Sequence, residues 1–166
     1  MYKIIDNFLP KEEFDQIKQV IIGYEFPWYL QNFVAYEDAP KKSHWYFTHK
    51  FYEQGRGATP FYSLIYEIFL KEKINCAAMI RVKANLYPKD EKFIEHDWHI
   101  DYNFNHNGAI FYVNTNNGYT ILEDGTKIES IENRMLLFDS GKRHKSTNCT
   151  DTEYRININF NYMANN

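Results

Sequence analysis

His99-Ile100-Asp101 is where residue type and spacing first suggest chemistry. On an extended strand, residues two apart project to the same side, so this imidazole and this carboxylate can converge on one ion. A second imidazole from elsewhere completes a facial set that suits Fe(II) and leaves coordination positions open. Alone the tripeptide carries little weight, because six histidines in 166 residues meet an aspartate two positions on about 0.3 times by chance. A third ligand follows the apolar run Met135-Leu136-Leu137-Phe138-Asp139, which reads as a buried strand whose turn, Ser140-Gly141-Lys142-Arg143, delivers His144. Arg155 comes 11 residues later on the last strand. Its planar fork suits bidentate carboxylate binding. The plainer alternatives are a surface histidine in a turn and a salt bridge from Arg155 to Glu153 or another acid. His96 and His106 compete as ligands but break the H-x-D spacing, and Asp97 shares the face of Asp101.

The elements that must position these residues are strands with one polar face. Residues 77–87 put Arg81, Lys83, Asn85 and Tyr87 opposite Ile80, Val82, Ala84 and Leu86. The last strand puts Arg155, Asn157, Asn159 and Asn161 opposite Ile156, Ile158, Phe160 and Tyr162. Any one such face suits solvent; together they fit a closed sheet around a polar cavity. Strands are expected near 77–87, 93–102, 108–114, 119–123, 126–130, 134–139 and 154–163, with a two-residue turn at Asp124-Gly125. Ahead of them come a short strand at 2–9, a helix over 11–22 started by Pro10 and ended by Gly23, and a strand over 45–52. A second helix is expected over 59–71, capped by Thr59. Residues 24–44, with many aromatics and two prolines, read as a loop-rich segment that forms a lid or leaves a groove. Two helices followed by many short strands predict a mainly β fold with supporting N-terminal helices.

Composition sets the outer bounds. One domain is expected for 166 residues, and the net charge of −3 argues against general nucleic-acid binding or an anionic membrane surface. Cys76 and Cys149 form no C-x-x-C pair, which fits reduced thiols in a cytoplasmic protein. No secretory signal or membrane-spanning run is visible. Aromatics reach 18%, mostly Tyr and Phe, and lean the chain towards strand.

The ordered set His99, Asp101, His144, Arg155 resembles the 2-oxoglutarate- and Fe(II)-dependent dioxygenases, and most closely their prolyl 4-hydroxylase-like branch. Asn85-Leu86-Tyr87-Pro88 is similar to that branch's tyrosine-proline strand end, and Ala109–Asn114 to its aromatic strand. Gly118-Tyr119-Thr120 with Glu123-Asp124-Gly125 resembles its hairpin, and Leu137-Phe138-Asp139 its lead-in to the distal histidine. The resemblance is close over 77–163 and looser over 1–76. It implies a double-stranded β-helix (jelly-roll) core over 77–163, helical and loop-rich support over 1–76, and a single domain over 1–166. It further implies that His99, Asp101 and His144 ligate Fe(II), and that Arg155 holds the distal carboxylate of 2-oxoglutarate. Tyr112 then donates to the same carboxylate, while Tyr87, Asn85 and Asn157 line that pocket. The turn at 140–143 is more basic than the family pattern, and Asn157 stands where a hydroxyl or small residue is common.

The implied activity is hydroxylation coupled to oxidative decarboxylation of 2-oxoglutarate, with O2 as cosubstrate and ascorbate as a supporting reductant. The implied substrate is a peptidyl proline, met by an aromatic groove of Trp28, Tyr29, Trp45, Tyr46 and Trp98. The alternatives are the same chemistry on a free amino acid, other metabolite or nucleobase, and a zinc-dependent hydrolase on the same barrel. A catalytically silent binding module is a third class.

Overall fold

Alternation of apolar and polar side chains over residues 80–87 and 155–162 makes two-faced strands, and the computed structural model shows the sheets closing around a cavity. It describes residues 1–32, 34, 45–70 and 74–165. In chain order the elements are β1 (Lys3–Ile5), α1 (Lys11–Ile22), β2 (Tyr29–Gln31), β3 (Tyr46–Glu53), β4 (Arg56–Gly57), α2 (Tyr62–Leu70) and β5 (Cys76–Pro88). There follow β6 (Asn107–Tyr112), β7 (Tyr119–Leu122), β8 (Lys127–Glu129), β9 (Arg134–Asp139), β10 (His144–Lys145) and β11 (Tyr154–Ala164). The larger sheet runs β1-β9-β6-β11-β5-β3-β2 with β4 beside β3, and the smaller runs β10-β7-β8. Every pairing is antiparallel. The first 76 residues therefore supply strands as well as helices to the large sheet. No helix among the described residues is long and apolar enough to cross a membrane.

One face of the large sheet packs on the helices. Val82 and Ala84 of β5, and Ile156, Ile158 and Phe160 of β11, meet Phe14, Ile17 and Ile21 of α1 and Ile65 of α2 in one cluster. Each large apolar side chain buried there contributes roughly 2 kcal/mol. The other face carries the polar residues, and the β5–β11 register sets them side by side: Arg155 with Tyr87, Asn157 with Asn85, Asn159 with Lys83, Asn161 with Arg81.

Several expectations are corrected. Residues 93–102 do not form a ladder strand. Their isolated backbone bridges are Glu95–Thr147 and His99–His144. Four positions separate Glu95 from His99 but three separate Thr147 from His144, and that extra residue breaks the ladder as a bulge does. The second helix begins at Tyr62 rather than Thr59, because the Thr59 hydroxyl sits 3.0 Å from His49 Nε2 instead of capping. The helical spacing of Phe14, Ile17, Val20 and Ile21 predicts one buried face for α1, and Val20 instead lies at the surface. The Asp124-Gly125 turn is a four-residue connection, closed by Gly125 at φ +85°. β2, within the expected loop 24–44, was not anticipated; residues 33 and 35–44 of that loop lie outside the described residues.

Asn133 fastens the N-terminal segment to the sheet. At φ +57°, a conformation Asn tolerates better than most residues, its side chain accepts from Leu9 N–H at 2.9 Å and donates to Leu9 C=O at 2.8 Å. Asn133→Ala removes both bonds and puts at positive φ a residue that tolerates it less well than asparagine, so a loss of about 2–3 kcal/mol is expected in urea unfolding. An unchanged midpoint contradicts this role.

Candidate active site

The polar faces of β5 and β11 floor a cavity of about 170 Å³, walled on the far side by the smaller sheet and residues 99–101. The histidines meet because of backbone pairing. His99 N–H donates to His144 C=O at 3.0 Å and His144 N–H to His99 C=O at 2.9 Å, which places the two rings 4.5 Å apart. Each Nδ1 faces a carbonyl two residues back, that of Asp97 at 3.2 Å and of Lys142 at 3.1 Å. A carbonyl can only accept, so Nδ1 carries the hydrogen and each Nε2 keeps a lone pair for an ion. His144 Nε2 is buried without a hydrogen-bond partner, 3.8 Å from Asp101 Oδ2.

One ligand atom from each of His99, Asp101 and His144 lies within 4.8 Å of the others. Two imidazoles and one carboxylate, with a buried lone pair aimed at the carboxylate, fit a divalent metal of the iron type. His144 is therefore not a surface residue; it is only 3% exposed. Asp97 faces solvent, and His96 packs on Tyr87 with ring centroids 5.1 Å apart.

A cage of donors holds Asp101. Arg81 Nη2 donates to Oδ1 at 2.8 Å, and Ser140 Oγ and Asn161 Nδ2 donate to Oδ2 at 2.9 and 2.8 Å. Burial pushes the carboxyl upward, but Arg81, the two histidines and Asn161 outweigh it and hold the group well below the ordinary carboxylate range. Asp101 is thus a fixed anion. Burial, then His144, push His99 down to about 4, so it is neutral at pH 7 and ready to ligate.

Arg155 forms the second pole. It is completely buried, and among the described residues no carboxylate lies within salt-bridge distance; Glu153 pairs with Lys89 instead. Its N–H groups reach Ser130 Oγ at 2.8 Å, Ser146 Oγ at 2.6 Å and Thr120 Oγ1 at 3.3 Å. Thr120 Oγ1 also accepts from the Tyr112 hydroxyl at 2.9 Å. With its lone pairs engaged, Thr120 has its own O–H left to give, and Thr120 and Ser146 both line the cavity. The guanidinium stands directly behind them. Gly118 makes the seat possible, since a β-carbon there would come within 2.5 Å of Arg155 Cδ.

Of the other expected residues, Tyr87, Asn85 and Asn157 line the cavity, with Asn85 Nδ2 donating to Asn157 Oδ1 at 3.0 Å. Tyr112 is brought to the Arg155 end, one layer behind Thr120. The expected aromatic groove divides. Tyr46 stacks on Tyr87 inside the cavity, Trp28 packs on the core, Trp98 lies under Lys145, and Tyr29 and Trp45 remain exposed. Sequence reasoning missed Thr120, Ser146 and Ser140. Thr120 and Ser140 stood within the hairpin and turn motifs without a role of their own, and Ser146 stands two residues past His144.

The depressed His99 pKa has a measurable sign. The unfolded chain takes up this proton near 6.5 and the folded one near 4, so the stability from neutral His99 is complete above about pH 6.5 and is lost as pH falls towards 4. Asp101, held low, adds to the loss only at still lower pH. Urea unfolding of metal-free protein is expected to show about 2 kcal/mol less stability at pH 5 than at pH 7, and His99→Asn to flatten that slope. Equal stability at the two pH values contradicts this.

No protein-family model matches the chain, and no curated protein matches its sequence. Solved structures do match its fold. An oxidoreductase of the 2OG-Fe(II) oxygenase family from Burkholderia pseudomallei superposes with TM-score 0.74 at 11% identity, covering 99% of this chain and 86% of its own. The non-heme α-ketoglutarate-dependent epimerase SnoN of nogalamycin biosynthesis gives 0.66 at 10% identity, covering 98% and 77%. A Trichoplax adhaerens prolyl hydroxylase, in complex with a peptide fragment of the hypoxia-inducible-factor oxygen degradation domain, gives 0.61 at 17%, covering 98% and 83%. With its antiparallel sheets closed around the cavity, the chain has the fold of the 2OG-Fe(II) oxygenases.

Proposed function

We propose that the chain is a 2-oxoglutarate- and Fe(II)-dependent dioxygenase that hydroxylates its substrate. The observation that carries this reading is Arg155: a fully buried cation with no acid partner among the described residues, set behind two hydroxyls at the end of a cavity whose other end presents two imidazoles and a carboxylate. Burying an unanswered charge costs several kcal/mol, and a dicarboxylate cosubstrate supplies the missing anion. A zinc hydrolase on the same His and Asp residues leaves Arg155 without a purpose.

In this reading His99, Asp101 and His144 hold Fe(II). Thr120 and Ser146 donate to the distal carboxylate of 2-oxoglutarate, Arg155 neutralises it from behind, and Tyr112 orients Thr120. When bound, iron and 2-oxoglutarate supply O2 activation coupled to oxidative decarboxylation. The protein's work is geometric and electrostatic. Arg81, Ser140 and Asn161 keep Asp101 ionised and aimed. The carbonyls of Asp97 and Lys142 keep both imidazoles turned inward. Asn85 and Asn157 brace the floor between the two poles, and the Tyr46–Tyr87 stack at 5.4 Å shields one wall from water.

A prolyl hydroxylase seen with a peptide among the fold neighbours, and the exposed Tyr29, Leu30 and Trp45 beside the cavity-lining Val34 and Tyr46, support a peptidyl proline as substrate. A second reading, a small acid, is favoured by one cavity residue, Lys83. Ascorbate as supporting reductant and a cytoplasmic setting with both cysteines unpaired belong to the same proposal.

Anaerobic addition of Fe(II) and then 2-oxoglutarate should produce the visible charge-transfer band of the chelate. The band should vanish in Asp101→Ala and weaken at subsaturating 2-oxoglutarate in Arg155→Ala. Tight zinc binding with no such band in the wild type overturns the proposal.

A further inference from the structure

Among the described residues four cations surround the cavity, and two of them have an acid to meet. Arg81 pairs with Asp101 at 2.8 Å and Lys145 with Glu95 at 2.6 Å. Arg155 is answered by the cosubstrate in the reading above. Lys83 is left. Its ammonium donates to the Tyr46 hydroxyl at 3.4 Å and lies 5.7 Å from the centre of that ring, and no carboxylate among the described residues is within salt-bridge distance.

The neighbouring acids of Lys83 are engaged by other cations, Glu53 by Lys50 at 2.7 Å and Asp101 by Arg81 at 2.8 Å. Lys50 is its direct cross-strand partner on β3, and Arg81 is the next residue on its face of β5. Like charges placed directly opposite on neighbouring strands destabilise a sheet, and enclosing an ammonium without an anion costs more. Burial and then Arg81 push its pKa down to about 8, with Asp101 pulling the other way.

Its place in the ladder separates it from the cosubstrate's anchor. Lys83 pairs with Asn159, whereas Arg155 pairs with Tyr87. The two levels are four residues apart, about 13 Å along the strands, with the Asn85–Asn157 pair between them. Asn159 Nδ2 reaches Asp101 Oδ2 at 3.3 Å, so Lys83 stands at the triad end. Tyr46 completes the subsite. Its oxygen accepts from Lys83, leaving its O–H to donate, and burial pushes its pKa upward so that the proton stays on. One ammonium and one hydroxyl side by side match the two oxygens of a carboxylate.

We propose that Lys83 and Tyr46 bind the carboxylate of the molecule that is hydroxylated, which makes the substrate a small carboxylic acid, such as a free amino acid, rather than a peptidyl proline. The proposal rests on the dioxygenase reading for the identity of the site, and on the unmatched lysine for the class of substrate.

The test uses protein loaded with Zn(II), which is redox-inert, and 2-oxoglutarate. Calorimetry compares free L-amino acids and small hydroxy acids with their primary carboxamides, and with a proline peptide capped at both ends. At least one free acid should bind, its amide about tenfold or more weaker. Lys83→Met, folded by circular dichroism, should lose about tenfold or more of that acid's affinity, and Lys83→Arg should recover part of it. Affinity for 2-oxoglutarate should fall in Arg155→Ala and not in Lys83→Met. The proposal is overturned if acids and amides bind alike, if only the capped peptide binds, or if Lys83→Met leaves acid binding intact. A parallel loss of 2-oxoglutarate in Lys83→Met also overturns it, since Lys83 then serves the cosubstrate. Absence of 2-oxoglutarate binding in the wild type defeats the dioxygenase reading instead, and the acid–amide comparison on Zn(II)-loaded protein still decides the role of Lys83.

Discussion

The long antiparallel pairing of β5 with β11 is the constraint from which the rest follows. Because side chains alternate strictly along a strand, a slip of either strand by one residue would turn every polar group of that strand into the helical core and every apolar one into the cavity. The observed register matches Arg155 with Tyr87, Asn157 with Asn85, Asn159 with Lys83 and Asn161 with Arg81. Polar residues thus meet polar residues across the ladder, while Ile156, Ile158 and Phe160 face α1 and α2 from the opposite side. The apolar face secures the register; the polar face uses it.

What stands on that polar face is poor material for folding. Arg155 is buried without an acid among the described residues, Lys83 faces Lys50 and Arg81, and His144 Nε2 and Asn85 Oδ1 are buried without hydrogen-bond partners. Such groups are destabilising in isolation. They become intelligible as halves of interactions: a metal for the imidazoles, a diacid for the Arg155 end, a further carboxylate for Lys83. Asp101 differs from these. Four donors hold it within the fold, three on Oδ2 and one on Oδ1, which leaves Oδ1 room for a metal; the anionic member of the triad is already in place while the anions that the two cations require come from outside.

Most of the site was legible because two periodicities carry it. The H-x-D pair, the alternations of 77–87 and 154–163, and the distances to His144 and Arg155 are all linear features of the chain. The fold was legible from the same alternation and from Phe14, Ile17 and Ile21 on one helical face. What escaped depends on contacts between distant segments. The bulge opposite 144–147 exists only because two strands of unequal length are joined, and Thr59 lost its capping role to His49, ten residues back. Thr120 and Ser146 became part of the anion end only through the Arg155 side chain behind them. Nothing in their types distinguishes them from other hydroxyl residues of the chain.

The central claim is that the buried Arg155 end of the cavity is built for the distal carboxylate of a diacid. Calorimetric titration of Mn(II)-loaded protein with 2-oxoglutarate and with 2-oxobutyrate, which lacks that carboxylate, tests it most directly. The account predicts that 2-oxoglutarate binds about tenfold or more tighter, and that Arg155→Leu abolishes the preference. Equal affinity of the two acids for the wild-type protein would contradict it.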